Sequence, residues 1–548
     1  MVMPAIKSPV AYYCAEFGTD SNLPTYAGGL GILAGDTLLE AAGQEFPMVG
    51  IGLLYQGKRF MQKFALDGWQ YEEASTFQKD STAAVRIVEE YGKPVEVTMN
   101  CAGETVKIRA YQQRLGDKTV LYMLTVDVAP NSDEWRDTLA MDYCCGDETQ
   151  LRQQLVLGIG GARLMERLRI KPSVNHFQEG RPIFAHWEIA KQISEQKKID
   201  YETALLEATK SIVYTNHTLV LDGNLIYSAS LVRKYAAPMA EEYGVSVDLL
   251  LEPGLMADRE QFSITQYALN VSRIASSVSK PHFALAKKTW PKYKWVNITN
   301  GVHIPRWRAW EFANPAITDF ELWKAHVDQK KALMRIVRQR SGFDYDPHRL
   351  ILGWARRISG YKQLGALFHD LNRFKLILTD TDRPVHLIVA GKAHHGDDWG
   401  KKHIQEVMRY MSNELNSHAL FVPNYDIALA RAMVRGVDAW LNTPEYSKEA
   451  CGTSGMKALS NGVLNCTVPD GWAGEVEWDG VGWTLDPMNI SHSLYAALEE
   501  HVVPMYYDQD EGGVSKEWVS RMKKSIALSE EYSSERMLRE YDQKLYMR

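Results

Sequence analysis

The sequence predicts an α/β protein with at least two hydrophobic cores, and three observations predict it. From about Arg349 onward, short apolar runs alternate with helical patterns: residues 350–354, 386–391, 419–422 and 437–441. Alternation of this kind is how βαβ units on a parallel sheet read in sequence. The first half carries strand-like stretches near Met48 to Tyr55, Val95 to Val106 and Val120 to Val126, with helical stretches near Leu151 to Leu168 and Pro182 to Lys191. It reads as a second, more embellished α/β domain. Finally, 548 residues at 45% hydrophobic and 24% charged content provide an ordinary globular composition and the length for two or more cores.

The expected organisation is an N-terminal α/β domain over 1–343, a C-terminal α/β domain over 344–514, and terminal helices over 515–548 that pack back across the N-terminal domain. The last of these rests on a charged stretch, 515–543, whose apolar residues recur at helical spacing. In the parallel half, polar or glycine turns come after the apolar runs. Open α/β sheets hold ligands at the carboxyl ends of such strands, so a site is expected there.

Charge and composition exclude several classes of function. A net charge of −6 and a pI near 6.2 come without a long basic run, so the electrostatic footprint for nucleic acid is missing. The expected partner is uncharged or small. Six cysteines, Cys14, Cys101, Cys144, Cys145, Cys451 and Cys466, are scattered, which is neither a small disulfide scaffold nor a paired CxxC zinc site. They read as reduced, and the protein as cytoplasmic. The first residues lack a basic segment followed by an apolar core, and no uncharged apolar run approaches the roughly 18 residues that span a bilayer. His394-His395-Gly396-Asp397-Asp398 reads as a loop, because adjacent residues rarely point at one ion, so no metal is expected.

One segment carries chemistry. Glu449 to Ala458, EACGTSGMKA, comes after an apolar strand and a polar loop and opens into a helix. Small residues in such a turn let backbone N–H groups approach an anion, and the helix start adds partial positive charge. Lys457 then stands one turn into the helix, beside an anion cradle. An amine next to a phosphate site is what pyridoxal phosphate requires. The same pattern also suits an ordinary helix cap with a solvated lysine, and spacing alone leaves both readings open.

The string EACGTSGMKA resembles the cofactor-lysine signature of the glycogen and starch phosphorylase family, with Cys451 where serine is common. Four further blocks resemble the family's, in the same order. Leu23 to Asp36 (LPTYAGGLGILAGD) is similar to the glycine loop that lies against the substrate phosphate, with Gly28, Gly29 and Leu30 facing it and Gly31 completing the loop. Tyr214 to Thr218 (YTNHT) is similar to the segment whose histidine, here His217, contacts the glucosyl unit. Thr299 to His303 (TNGVH) resembles the block whose asparagine, Asn300, binds sugar hydroxyls. Trp354 to Lys362 (WARRISGYK) resembles the basic strand end that grips two phosphates.

The resemblance has specific implications. Lys457 holds pyridoxal phosphate as a Schiff base. Arg356 and Lys362 contact the cofactor phosphate together with Thr453, Ser454 and Tyr425, the last in the segment Asn424-Tyr425. Arg357 holds inorganic phosphate, and Gly452 and Glu449 contribute to the substrate side. Gly391-Lys392-Ala393 matches a block whose lysine positions a loop. The implied fold is the two-domain GT-B glycosyltransferase type, two Rossmann-like domains facing a central cleft. The implied reaction is reversible phosphorolysis of terminal α-1,4-linked glucose in an α-glucan or maltodextrin, giving glucose 1-phosphate with retention. A homodimer is the candidate assembly.

The sequence departs from the family at three positions: Arg181 and Ser359 stand where histidine is common, and Asp426 where many members have arginine. Asp426 thereby removes a cofactor-phosphate contact and adds a negative charge near it. Two competing readings remain in view. A nucleotide-sugar-dependent glycogen synthase-like transferase also carries Gly-Gly-Leu near its start, but after a lysine and threonine rather than Tyr26-Ala27, and has no use for Lys457. A non-catalytic glucan-binding homologue would keep the fold without turnover.

Overall fold

A computed structural model describes residues 8–58, 60–80, 82–143, 145–218, 224–415 and 417–547. The chain forms two compact units. One comprises Met1–Lys58, Ser75–Ile298 and Met537–Arg548, and the other Arg59–Ala74 and Thr299–Arg536.

The second unit is built on a parallel sheet in the order Ala419–Val422, Val385–Ala390, Leu350–Ala355, Ala439–Asn442, Leu464–Thr467 and Gly482–Thr484. Numbered along the chain from Leu350, that order is 3-2-1-4-5-6, the Rossmann arrangement. The first four strands are the four apolar runs read from the sequence. Strand Leu350–Ala355 is buried at every position, as a strand covered on both faces must be. The strand order reverses between Leu350–Ala355 and Ala439–Asn442, which pair in parallel through Leu352 and Gly353. Arg356 and Thr443 follow directly on the carboxyl ends of these two strands.

The first unit repeats the plan with additions. Its strands run Trp295–Asn297, Ala275–Ser277, Ile212–Thr215, Val174–Gln178, Val10–Tyr13, Met48–Leu53 and Thr119–Thr125, all parallel neighbours. Counted from Val10, this is again 3-2-1-4-5-6, extended by one strand. Antiparallel strands Glu104–Arg114, Glu96–Cys101 and Arg86–Ile87 continue the sheet beyond Thr119–Thr125. The stretch 95–106, expected as one strand, is therefore a hairpin. It turns at Ala102 and Gly103, both with positive φ (49° and 85°). The reversal point of this sheet lies between Val10–Tyr13 and Val174–Gln178.

The two compact units divide the chain at other points than the expected domain limits. The divide falls between Ile298 and Thr299 rather than at 343/344, because helix Asp319–Ser341 packs in the second unit. Its Lys330 reaches Asp438 at 2.6 Å in a fully buried ion pair. The hairpin Met61–Phe64 with Gln70–Glu73 also belongs to the second unit, where Gln62 and Gln70 donate to the carbonyls of Gly391 and Ala393 at 2.8 and 2.9 Å. Lys392 donates to the Phe60 carbonyl at 3.1 Å, a loop-positioning contact. Of the terminal segment, helix Lys516–Leu528 stays in the second unit, and only Met537–Arg548 joins the first, with Met537, Leu538, Tyr541 and Leu545 in its core.

Cys14, Cys101, Cys451 and Cys466 are free and buried. Cys145 is disulfide-bonded, which corrects the expectation that all six cysteines are reduced. Cys144 lies outside the described residues. Asp397 caps helix Asp398–Asn413 by accepting from Gly400 N at 2.8 Å, so the His-His-Gly-Asp-Asp stretch works as a helix entry. No helix among the described residues is long and apolar enough to cross a membrane.

Candidate active site

In the second unit, the expected site residues gather at the sheet's reversal point. Arg356 and Arg357 continue directly from strand Leu350–Ala355. Lys362 comes from the short turn Gly360–Lys362, tied down because Thr443 Oγ1 donates to the Lys362 carbonyl at 3.2 Å and accepts from Trp354 Nε1 at 3.1 Å. Strand Ala439–Asn442 leads through Glu449 and Gly452 into helix Ser454–Leu459, which carries Lys457. The strand–turn–helix predicted from EACGTSGMKA is present. Gly452 sits at φ +81°, and a Cβ there would meet Glu449 at 3.1 Å, so this turn requires glycine. The helix has only six residues, too few for a strong dipole, and the positive charge of the site comes mainly from side chains.

Glu449 is the centre of that charge cluster. Its carboxylate is ion-paired with Lys362 and lies 3.6 Å from Arg356, all three being buried. Burial opposes its charge, but Lys362, Arg356 and Arg357 outweigh that and hold the carboxyl below its usual range. A role for Glu449 as a sugar ligand thus has to share the side chain with two cations. Arg356 Nη2 reaches Ser454 Oγ at 3.4 Å, while its Nε is buried without a hydrogen-bond partner among the described residues. Tyr425 stands within electrostatic reach of the same guanidinium, which partly offsets the rise that burial imposes on its hydroxyl. Arg357 is exposed and makes no hydrogen bond or ion pair among the described residues.

Lys457 is 8% exposed, with Nζ 4.2 Å from the centre of the buried Trp307 ring. Asn461, one turn on, donates to the Lys457 and Trp307 carbonyls at 3.0 and 3.1 Å and fixes the helix against that segment. A buried amine, buried cations and an orphaned Arg356 N–H form a donor set that fits pyridoxal phosphate. Ser359 Oγ is also buried and without a partner among the described residues. The Asp426 charge is not loose beside this pocket, which corrects the expectation drawn from its position. Arg340 takes both its carboxylate oxygens, at 2.8 and 3.0 Å, and the side chain caps helix Ile427–Gly436.

Asn300 is buried, and its Oδ1 has no partner among the described residues. The backbone around it is fixed, since a Cβ on Gly301 would stand 2.1 Å from the Ser533 carbonyl and Arg536 donates to the Asn300 carbonyl at 2.9 Å. An acceptor held rigidly and left unpaired suits a sugar hydroxyl. Trp354 and Trp472 are core residues.

In the first unit, the glycine loop comes after strand Val10–Tyr13 and His217 after strand Ile212–Thr215, with strand Val174–Gln178 between the two. Gly28 and Gly29 have nothing within 4 Å of a built Cβ, whereas Gly31 would clash with Glu16 and Tyr26 at 2.8 and 2.7 Å. Packing therefore explains Gly31 but not Gly28 or Gly29, whose open side is free for a ligand. Glu16 Oε2 accepts from the Ala27 and Gly28 amides at 2.7 and 3.1 Å, which narrows the anion-facing amides of the loop to Gly29 and Leu30 at the start of helix Gly29–Gly43. Tyr143 donates to the other Glu16 oxygen, and Arg181 stacks on Tyr143 at 4.3 Å. Arg181 is thus part of the wall behind the loop. His217 N donates to Glu179 Oε1 at 2.8 Å, and its Nε2 lies 2.7 Å from Gln178 Oε1.

Sequence reasoning misses Glu16, Gln178 and Glu179. Their signal appears only with the strand order, which places the residues after Tyr13 and Phe177 on the two strands flanking the reversal point. Burial raises the Glu179 carboxyl to about 8, against the opposing pull of the His217 amide and Arg181. The folded state then keeps a proton that the unfolded chain releases near pH 4.3, so stability falls as pH rises between about 4.3 and 8. Glu179→Gln cannot ionise. Its melting temperature is expected to exceed the wild type's at pH 8 and to converge with it near pH 5, and parallel melting curves across that range would rule the account out.

Comparison with known proteins places the chain among phosphorylases. Residues 316–482, which contain Arg356, Lys362, Glu449 and Lys457, match the family model described as carbohydrate phosphorylase. The chain is 33% identical to the glycogen phosphorylase of Aquifex aeolicus over 98% of its own length and 86% of that protein. It is 33% identical to the maltodextrin phosphorylase of Thermococcus litoralis, covering 99% of this chain and 71% of the relative. It is 30% identical to the glycogen phosphorylase of Mycobacterium tuberculosis, with the same two coverages.

Proposed function

The chain belongs to the carbohydrate phosphorylase family and is an α-glucan phosphorylase, a glycosyltransferase, and we propose that it cleaves terminal α-1,4-linked glucose with inorganic phosphate, with retention, using pyridoxal phosphate held at Lys457. The observation that carries the site assignment is the cluster at the second sheet's reversal point: Arg356, Lys362 and Glu449 buried together, Arg357 exposed beside them, and Lys457 buried one turn into the helix after Gly452.

Bound there, pyridoxal phosphate supplies a phosphate group that shares a proton with the substrate phosphate. Lys457 anchors it, and Arg356, whose Nε is unpartnered, and Lys362 hold its anion together with Ser454, Thr453 and Tyr425. Arg357, with no hydrogen bond or ion pair among the described residues, holds inorganic phosphate. Arg356, Arg357 and Lys362 set against Glu449 leave a net of two positive charges (three minus one). Two phosphate groups, at about −1.5 to −2 each near neutrality, exceed that. The pocket therefore favours a protonated substrate phosphate, which is the acid that the leaving glycosidic oxygen needs. Once the proton has been given up, the phosphate anion stabilises the oxocarbenium-like centre from the position Arg357 fixes. In the first unit His217 contacts the glucosyl unit, and no carboxylate pair is required.

The test is release of glucose 1-phosphate from maltoheptaose and from glycogen in phosphate buffer with added pyridoxal phosphate. Arg357→Ala removes a charge-assisted contact of roughly 1.5–3 kcal/mol. The apparent phosphate KM should rise about 10- to 100-fold, with the glucan KM changing far less. An unchanged phosphate KM sinks the Arg357 assignment; turnover that requires ADP-glucose or UDP-glucose instead sinks the phosphorolytic reading.

A further inference from the structure

His217 is the end of a hydrogen-bonded chain that runs through the first unit to its C-terminal segment. Strand Val174–Gln178 turns His176 and Gln178 to the same face, two residues apart, and both are fully buried. Gln178 Oε1 lies 2.7 Å from His217 Nε2, and Gln178 Nε2 lies 2.8 Å from His176 Nε2. His176 Nδ1 is 2.8 Å from the Tyr546 hydroxyl. The His176 ring is further enclosed edge-on by Tyr12, Tyr541 and Tyr546, at 5.2, 4.9 and 5.6 Å.

With the Gln178 amide nitrogen toward His176 and its oxygen toward His217, the protons along the chain follow. An amide NH2 can only donate, so His176 Nε2 is the acceptor. Thr215 Oγ1 lies 2.6 Å from the same nitrogen and 2.7 Å from Ser276 Oγ. Burial holds His176 neutral, with a pKa lowered to about 3, so its single proton sits on Nδ1 and is donated to Tyr546. The Gln178 carbonyl then accepts from His217 Nε2–H. His217 is neutral for the same reason, lowered to about 3 by burial and by His282, which leaves Nδ1 as a bare lone pair. That nitrogen has no partner among the described residues.

We propose that Gln178 is the positioning residue of His217: anchored through His176 to Tyr546, it locks the imidazole with the proton on Nε2 and presents Nδ1 as an acceptor for a hydroxyl of the glucosyl unit. The proposal rests on the reading of His217 as a glucosyl contact. It assigns to a glutamine and to a tyrosine of the C-terminal segment a part in substrate orientation. Gln178 does not itself touch substrate.

The experiment combines a readout independent of turnover with kinetics. Long-range 15N–1H spectra of histidine-labelled protein are expected to show His217 protonated at Nε2 in the wild type. In Gln178→Leu that signal should become a mixture of tautomers, with kcat lowered about 10- to 100-fold and the phosphate KM within about twofold of wild type. Tyr546→Phe removes only the terminal hydroxyl and should lower kcat about two- to fivefold, which keeps the test alive if the leucine variant fails to fold. Gln178→Glu should restore kcat at low pH, where a protonated carboxyl offers the same donor and acceptor, and lose it as that carboxyl ionises. A wild-type His217 protonated at Nδ1, or a folded Gln178→Leu with unchanged tautomer and kcat, overturns the proposal. Absence of glucose 1-phosphate release by the wild type would instead overturn the functional reading, and the tautomer measurement still decides the role of Gln178.

Discussion

Lys457→Met is expected to abolish glucose 1-phosphate release, lowering kcat by at least about a thousandfold, because it removes the amine that anchors the cofactor. Methionine is the informative substitution. The lysine stem is packed, with 8% of the residue exposed and Nζ over the Trp307 ring, so alanine would leave a void beside Trp307 and confuse loss of chemistry with loss of packing. Methionine keeps the unbranched stem and discards the nitrogen. The purified variant should carry no cofactor that borohydride can fix to the chain, whereas the wild type should carry about one equivalent. Near-native turnover or borohydride-fixed cofactor in Lys457→Met would move the cofactor attachment to another residue.

The site of the second unit was legible in the sequence to a greater depth than that of the first, and the reason is physical. Arg356, Lys362, Glu449 and Lys457 come from two segments whose apolar strands announce themselves as continuous runs. The chain between each strand end and its site residues is short, so residue and strand stay coupled. In the first unit the partners of His217 are set by strand order. Gln178 and Glu179 matter because Val174–Gln178 lies between Val10–Tyr13 and Ile212–Thr215, a placement that periodicity along one strand does not encode. Glu16 is likewise an ordinary acidic residue until the Ala27 and Gly28 amides are seen to bond it.

The domain limits show the same division between local and tertiary information. Helix Asp319–Ser341 has a clear start, with Thr318 and Glu321 forming a capping box, and a clear stop at Gly342 in the left-handed region. Those signals mark the helix but not the sheet it joins. A boundary after the helix is therefore the natural reading of the sequence, and the side chain that overrules it is Lys330, which points into the second unit. The Asp426 departure misleads in a similar way: position in a motif gives its charge, whereas the Arg340 partner that neutralises it comes from the end of this same helix.

The buried pair of Lys330 and Asp438 should also produce the largest stability effect in the chain. Asp438 lies just before strand Ala439–Asn442. Its carboxylate accepts from Lys330 Nζ at 2.6 Å, His326 Nε2 at 2.8 Å and the Ile351 amide at 2.7 Å. Lys330 is fully buried and also donates to the Arg349 carbonyl and the Tyr506 hydroxyl, both at 2.7 Å. The group thus ties the first and fourth strands together at the ends opposite the catalytic residues, setting the register on which the reversal point depends. Burial opposes the Asp438 charge, but Lys330 and His326 more than offset it and hold the carboxyl below its usual range. Asp438→Ala strands a buried ammonium and should cost about 3–5 kcal/mol in urea unfolding. Adding Lys330→Met removes the orphaned charge and should recover part of that loss, since the two side chains act as one unit. A single-variant cost below about 1 kcal/mol, or a double variant no more stable than Asp438→Ala, would mean that the strands are held by their apolar faces alone and that the buried pair is incidental to the geometry of the site.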